Sequence, residues 1–421
     1  MSIIKKLLIL TLTISLLITS LIFTKVNDTE VITDKSVLDL CDFVNVNRNS
    51  ENCLRSVIRY AIDKNSYKDL LAELDKAEAK YSNFFSLCHE VTHALGKYAV
   101  EKYKDVTALI ADTTSDTCGG GLSHGALVSY LAMPNISEAN VNLLVEACLQ
   151  STKSASCSHG IGHAFATTEI TQNALTQCMK SSFAYASKDN NIKGDNFAHS
   201  CNYGVMMEKY APFGSINREF YIKDKTEAAT ACETFYRNSF TEKMFDLEKN
   251  SLLISLYNGC ASGVGFSYGS EVISKLMGDN IEIEDLTQTL EYVENCTRLS
   301  NIGAEYSLKY NPTGIEDSGS SASEDDKYMY FFGCQIQTML NTTSYSFRNF
   351  DTVDESAAKE ILLKYKEFCS SFANQLKNEK YDISTRNFYE KFDFNRACNI
   401  AATLNKAEPV KERYFQILSL L

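Results

Sequence analysis

Val145-Glu-Ala-Cys148-Leu-Gln-Ser-Thr-Lys-Ser-Ala-Ser-Cys157-Ser-His-Gly-Ile-Gly-His163 is the stretch from which the fold is read. An amphipathic segment closes at Cys148, a short polar loop follows, and Cys157 opens a second segment of helical spacing. The plan recurs downstream as the couples Cys178/Cys201, Cys232/Cys260, Cys296/Cys334 and Cys369/Cys398. Each couple predicts a disulfide from the end of one helix to the start of the next. Cys41 and Cys53 fit the same plan. Cys88 and Cys118 both open helices and are left to pair with each other. Apolar residues recur at helical spacing throughout, and no strand-like alternation runs far. The expected fold is therefore all-α, an irregular helical repeat array, α-solenoid-like and cross-linked by disulfides.

Aligning the opening cysteines sharpens the repeat. Three residues after them stand Gly121, Gly160, Gly204 and Gly263. Glycine within a helix costs about 1 kcal/mol against alanine, so its recurrence asks for a close approach of backbones. Six residues after the same cysteines stand His124, His163, Met207 and Phe266. Equivalent positions on adjacent helices face each other, which predicts that His124 and His163 are neighbours.

The N-terminus sets the compartment. Lys5-Lys6 precede an uncharged apolar run over residues 7–23, the pattern of a signal anchor or signal peptide over residues 1–25. No small-residue cleavage site closes the run, which favours an uncleaved anchor with the protein facing the extracytoplasmic side; cleavage would make it secreted. All 14 cysteines follow this segment. In an oxidising compartment they are expected as disulfides rather than thiolate ligands. Asn27, Asn135, Asn295 and Asn341 begin sequons, which would make the protein a glycoprotein there.

Hydrophobic content of 44% against 22% charged residues is that of a globular chain with a substantial core. A net charge of −12 supplies no basic stripe to neutralise phosphates, which excludes nucleic acid as the expected partner. A helical array instead offers an extended surface to a protein or peptide partner. Residues 35–210 are expected to form histidine-rich helical units and 211–421 units without histidine. An acidic, Gly/Ser-rich loop near 311–327 has the composition of disorder.

The chain has six histidines, all between Cys88 and Glu208: His89, His93, His124, His159, His163 and His199. Neutral imidazole is the commonest metal ligand, and this confinement points to one metal centre built from all six. His89-Glu90-Val-Thr-His93 puts two imidazoles one helical turn apart, with Glu90 placed as a general base for bound water. These five residues and Gly96 resemble the zincin metalloprotease helix. That resemblance implies a zinc protease with Glu90 as its catalytic base. Metzincins place a third histidine where this chain has Ala99. His159-Gly-Ile-Gly-His163 repeats the paired spacing without a glutamate. Two such pairs exceed the three protein ligands of a zinc protease site, and suit a histidine-rich zinc, iron or copper centre or two ions close together. Glu208, Met206 and Met207 are candidate further ligands. The expected function is an extracytoplasmic, membrane-tethered metalloprotein acting as a hydrolase or oxidoreductase. Its alternative is a disulfide-stabilised helical scaffold without catalysis.

Overall fold

The computed structural model describes Cys41 and residues 48–64, 66–80, 84–103, 106–112, 117–150, 154–186, 191–211, 222, 224–239, 250–276, 288–310, 333–335, 337–338 and 355–378. The apolar run 7–23, the acidic loop near 311–327, Asn27, Asn341 and Cys398 lie outside the described residues. Every described element is helical: α1 (Arg48–Lys64), α2 (Tyr67–Lys80), α3 (Phe84–Tyr103), α4 (Val106–Asp112), α5 (Gly121–Leu131), α6 (Glu138–Gln150), α7 (Ser154–Thr168), α8 (Thr171–Ala186), α9 (Asn191–Tyr210), α10 (Thr226–Ser239), α11 (Asn250–Leu276), α12 (Gln288–Tyr310) and α13 (Glu355–Asn378). A 3-10 turn, Thr117–Gly120, leads into α5.

Two kinds of helix alternate. In α6 the buried residues are Leu144, Val145, Cys148 and Leu149, and in α10 they are Ala228, Ala229, Cys232, Phe235 and Tyr236. These are single apolar stripes at helical spacing, with polar residues on the other face. In α5, by contrast, every residue from Gly121 to Val128 is buried, and α11 is buried from Ser255 to Ser270. A helix buried all round must be small or apolar on every face, which explains the Gly, Ala, Ser and Cys content of these segments. The largely buried helices pack in sequence order, α5 on α7, α7 on α9 and α9 on α11, and α3, which keeps Glu90, Lys97 and Glu101 exposed, packs on α5. The striped kind forms its own succession, α4, α6, α8, α10, α12, and covers the first, with α6 on α7, α8 on α9 and α10 on α11.

The glycine positions carry this packing. A Cβ on Gly160 would stand 2.7 Å from His124 Cδ2, and one on Gly204 would run into the His159 carbonyl oxygen. Gly160 and Gly204 thus admit the preceding helix at its histidine, while Gly121 faces Thr92 and His89 and Gly263 faces Met206. The cysteines fasten the two successions together. Cys148–Cys157, Cys178–Cys201, Cys232–Cys260 and Cys296–Cys334 are paired, with Cα–Cα separations of 5.3, 5.7, 5.8 and 5.3 Å. Cys41–Cys53 and Cys88–Cys118 are also paired, and Cys369 is disulfide-bonded. Among the described residues no cysteine is free. Loop closure of this kind stabilises by about 2–4 kcal/mol per bridge.

Of the sequons, Asn135 is exposed with φ 72° in the turn after α5. Asn295 is only 7% exposed within α12, a position without room for a glycan, so that sequon is corrected to a core residue. No helix among the described residues is long and apolar enough to cross a membrane.

Candidate metal centre

Three successive helices of this row, α3, α5 and α7, bring five imidazoles together. His89 and His93 come from α3, His124 from α5, and His159 and His163 from α7. His124 is the hub: its ring centroid lies 5.8 Å from that of His89, 5.3 Å from His93, 5.4 Å from His159 and 5.7 Å from His163. The i, i+4 pairs stand 4.7 and 4.6 Å apart, and His93 reaches across to His163 at 5.8 Å. The expected adjacency of His124 and His163 is thus present. His199, on α9, lies outside this group. Its ring stacks on Tyr203 at 6.1 Å, and Tyr203 in turn meets His159 at 5.2 Å.

Backbone geometry at the mouth of α5 supports the arrangement. Cys118, Gly119 and Gly120 take φ of 56, 59 and 73°. Glycine adopts this left-handed region freely, but Cys118 does so at a cost of roughly 1–2 kcal/mol. Its disulfide to Cys88 holds it there. The turn aims the Cys118 carbonyl at α3, where it accepts a 2.6 Å hydrogen bond from His89 Nδ1.

Such bonds decide which nitrogen of each ring carries a lone pair, because a carbonyl or carboxylate can only accept. With Nδ1–H of His89 committed to Cys118, its lone pair is on Nε2. His124 donates from Nε2 to the Ser156 carbonyl at 2.8 Å, which puts its lone pair on Nδ1. His163 donates from Nδ1 to Glu208 Oε2 at 2.9 Å, leaving its lone pair on Nε2. Histidine ligands are commonly oriented in this way, the second nitrogen tied to a carbonyl or carboxylate. His93 differs: it is 6% exposed and neither ring nitrogen has a hydrogen-bond partner, and Nδ1 of His124 is likewise buried and unpartnered. An orphaned buried polar group costs about 1–3 kcal/mol, so these atoms ask for a ligand.

His89, His93 and His124 can hold a metal ion: one ring nitrogen of each lies within 4.8 Å of the others. Nitrogens at 2.0–2.1 Å around a tetrahedral ion stand about 3.3 Å apart, so the three rings would have to close in by up to about 1.5 Å to take one up. Burial, reinforced by the neighbouring imidazoles, holds His93, His124 and His159 well below the ordinary histidine range. They are therefore neutral near pH 7, the form that binds metal. Burial alone pushes His199 down to about 4.

Glu90 is exposed on α3, unlike the buried rings of His93 and His124. Glu208 is fully buried and serves as the partner of His163. Met206 is fully buried core, packed where a Cβ on Gly263 would fall. Tyr203 was missed as a neighbour of the cluster, although it stands two residues after Cys201, as His159 does after Cys157. That shared register was the available signal.

No protein-family model matches the chain, and comparison with curated proteins and with solved structures returns no match.

Proposed function

We propose that this protein is an extracytoplasmic metalloenzyme of hydrolytic type, with its ion on His89, His93 and His124. One observation carries the reading: His93 is buried with both ring nitrogens unpartnered, inside a group whose ring nitrogens lie within 4.8 Å. A histidine kept only for structure would be hydrogen-bonded, as buried polar groups generally are, and this argues against a purely scaffolding role. Three imidazole ligands leave a fourth position for water, and zinc bound in this way lowers the pKa of that water to about 7. Zinc is therefore the ion favoured. Glu90, next to His89 on α3, is the candidate general base for that water. An oxidative centre of copper or iron is the second reading. It is favoured by the all-imidazole surroundings and by the Tyr203 ring against His159. An α-solenoid-like array would be the scaffold, with residues 7–23 tethering it to the outer face of a membrane.

Elemental analysis of untagged full-length protein tests the proposal. About one or more equivalents of zinc are expected, removable by chelator and restored by dialysis against zinc. Protein that neither carries nor takes up a transition metal would overturn it.

A further inference from the structure

Cys88–Cys118 departs from the plan that the downstream bridges follow. Cys148–Cys157, Cys178–Cys201 and Cys232–Cys260 each tie a striped helix to the buried helix after it, α6 to α7, α8 to α9 and α10 to α11. Cys88–Cys118 instead ties α3 to the turn that opens α5. Those two helices carry His89, His93 and His124, so this bridge spans the three-histidine site. It also acts on the site through the main chain. Cys118 stands at φ 56° and ψ 33°, and its carbonyl accepts the 2.6 Å hydrogen bond from His89 Nδ1. Cys88 is the residue before His89, so the bridge, the Cys118 main chain and the His89 ring close one continuous loop. Without the bridge, Cys118 would leave a left-handed conformation that a side chain disfavours. Its carbonyl would then swing away from His89 Nδ1 and free the ring to turn. Both cysteines are 0% exposed, so the folded chain does not present the bridge to reagents in solution, and its state is set as the chain folds.

We propose that closure of the Cys88–Cys118 bridge is the step that makes the metal centre competent, so that the chain takes up its ion only once an oxidising compartment has formed the bridge. The proposal rests on the three-histidine reading of the site and adds its regulation. In the step, the two thiols give up two protons and two electrons to a disulfide oxidant, which leaves as a dithiol while the bond between Cys88 and Cys118 forms. The size of the effect follows from what the bridge holds in place. Loss of the group that orients a metal-bound imidazole costs about 10–100-fold in metal affinity. Coupling of this kind is reciprocal. The factor that the bridge adds to metal affinity is the factor that bound metal adds to the resistance of the bridge to reduction.

The test is the zinc affinity of the metal-stripped full chain, read by competition with a chromophoric chelator, with circular dichroism to confirm folding. Cys88→Ala with Cys118→Ala removes the bridge without leaving a thiol to bind zinc, and is expected to bind about 10–100-fold more weakly than wild type. Cys88→Ala with Cys118→Gly is expected to recover part of that loss, because glycine takes the left-handed conformation without a bridge. Cys232→Ala with Cys260→Ala, at a bridge between helices that carry no histidine, is expected to bind as wild type. A second measurement needs no variant. Wild type is treated with a phosphine reductant with and without zinc, and the state of each bridge is read by alkylation and peptide mass. Zinc is expected to protect Cys88–Cys118 by about 10–100-fold and Cys232–Cys260 by much less. Wild-type affinity in the first variant, an equal loss in Cys232→Ala with Cys260→Ala, or equal protection of the two bridges overturns the gate and leaves the three-histidine reading standing. A glycine variant as weak as the alanine one overturns the left-handed turn as its cause. Wild type that binds no zinc overturns the gate and the three-histidine reading together.

Discussion

Replacing His93 with leucine should make the metal-free protein more stable while removing its response to metal. The ring is 6% exposed, and both its nitrogens are buried without partners. An orphaned polar atom carries a desolvation penalty of about 1–3 kcal/mol, so metal-free His93 destabilises the fold by at least about 1 kcal/mol. Leucine fills a similar volume with no polar atom, and volume-conserving apolar exchanges are tolerated well. In excess chelator, His93→Leu should therefore melt above wild type by about 2 °C or more. With zinc at a hundred times its dissociation constant, the wild type should gain about 2.7 kcal/mol. The variant should gain far less, and the order of the two melting curves should reverse. Thermal denaturation followed by circular dichroism, with chelator and with zinc, measures both halves. A variant less stable than wild type in chelator would refute the orphaned-ring argument. An undiminished zinc response would refute His93 as a ligand.

Stability should fall on acidification through His199, whose folded pKa is about 4 against an ordinary 6.5. The unfolded chain binds the proton more readily, so the contribution is whole above pH 6.5 and is lost as pH drops toward 4. It amounts to up to about 3 kcal/mol, and His199→Gln should flatten that part of a stability-versus-pH curve measured by denaturant titration. Gly160→Ala would place a methyl group 2.7 Å from His124 Cδ2 and 3.0 Å from Leu127 Cδ1. It should cost about 1–3 kcal/mol by overpacking and weaken zinc binding; a variant of wild-type stability and affinity would contradict the close approach of α5 and α7. Cys88→Ser with Cys118→Ser should cost about 2–4 kcal/mol. It should also weaken zinc binding, since the bridge holds the carbonyl that orients His89; an effect on stability alone would separate the bridge from the site.

Much of this architecture was legible because its constraints are local or periodic. A cysteine closing one amphipathic segment and another opening the next can bridge only if a helix turns back on its neighbour. The observed pairs from Cys148–Cys157 to Cys296–Cys334 follow that rule. Glycine three residues past the opening cysteine predicted backbone contact, and Gly160 against His124 and Gly204 against His159 provide it. Register alone put His124 beside His163. It did not place α3, whose histidines fall one and five residues after Cys88 rather than two and six. Their position depends on the crossing of α3 and α5 at Gly96 and Gly125, where backbones meet. Periodicity was equally silent on which ring nitrogens are tied, because the acceptors are carbonyls of Cys118 and Ser156, far in sequence from the rings they orient. Glu90, the residue after His89 in the motif, is exposed on α3, and burial alone does not assign it a role.

The central claim is that imidazole nitrogens of His89, His93 and His124 ligate a metal, and X-ray absorption at the zinc edge tests it most directly. The account predicts a nitrogen shell at about 2.0–2.1 Å, with the outer-shell scattering of three or more imidazole rings, and loss of that scattering in His93→Leu. A shell made of oxygens alone, or imidazole scattering unchanged in the variant, would contradict it.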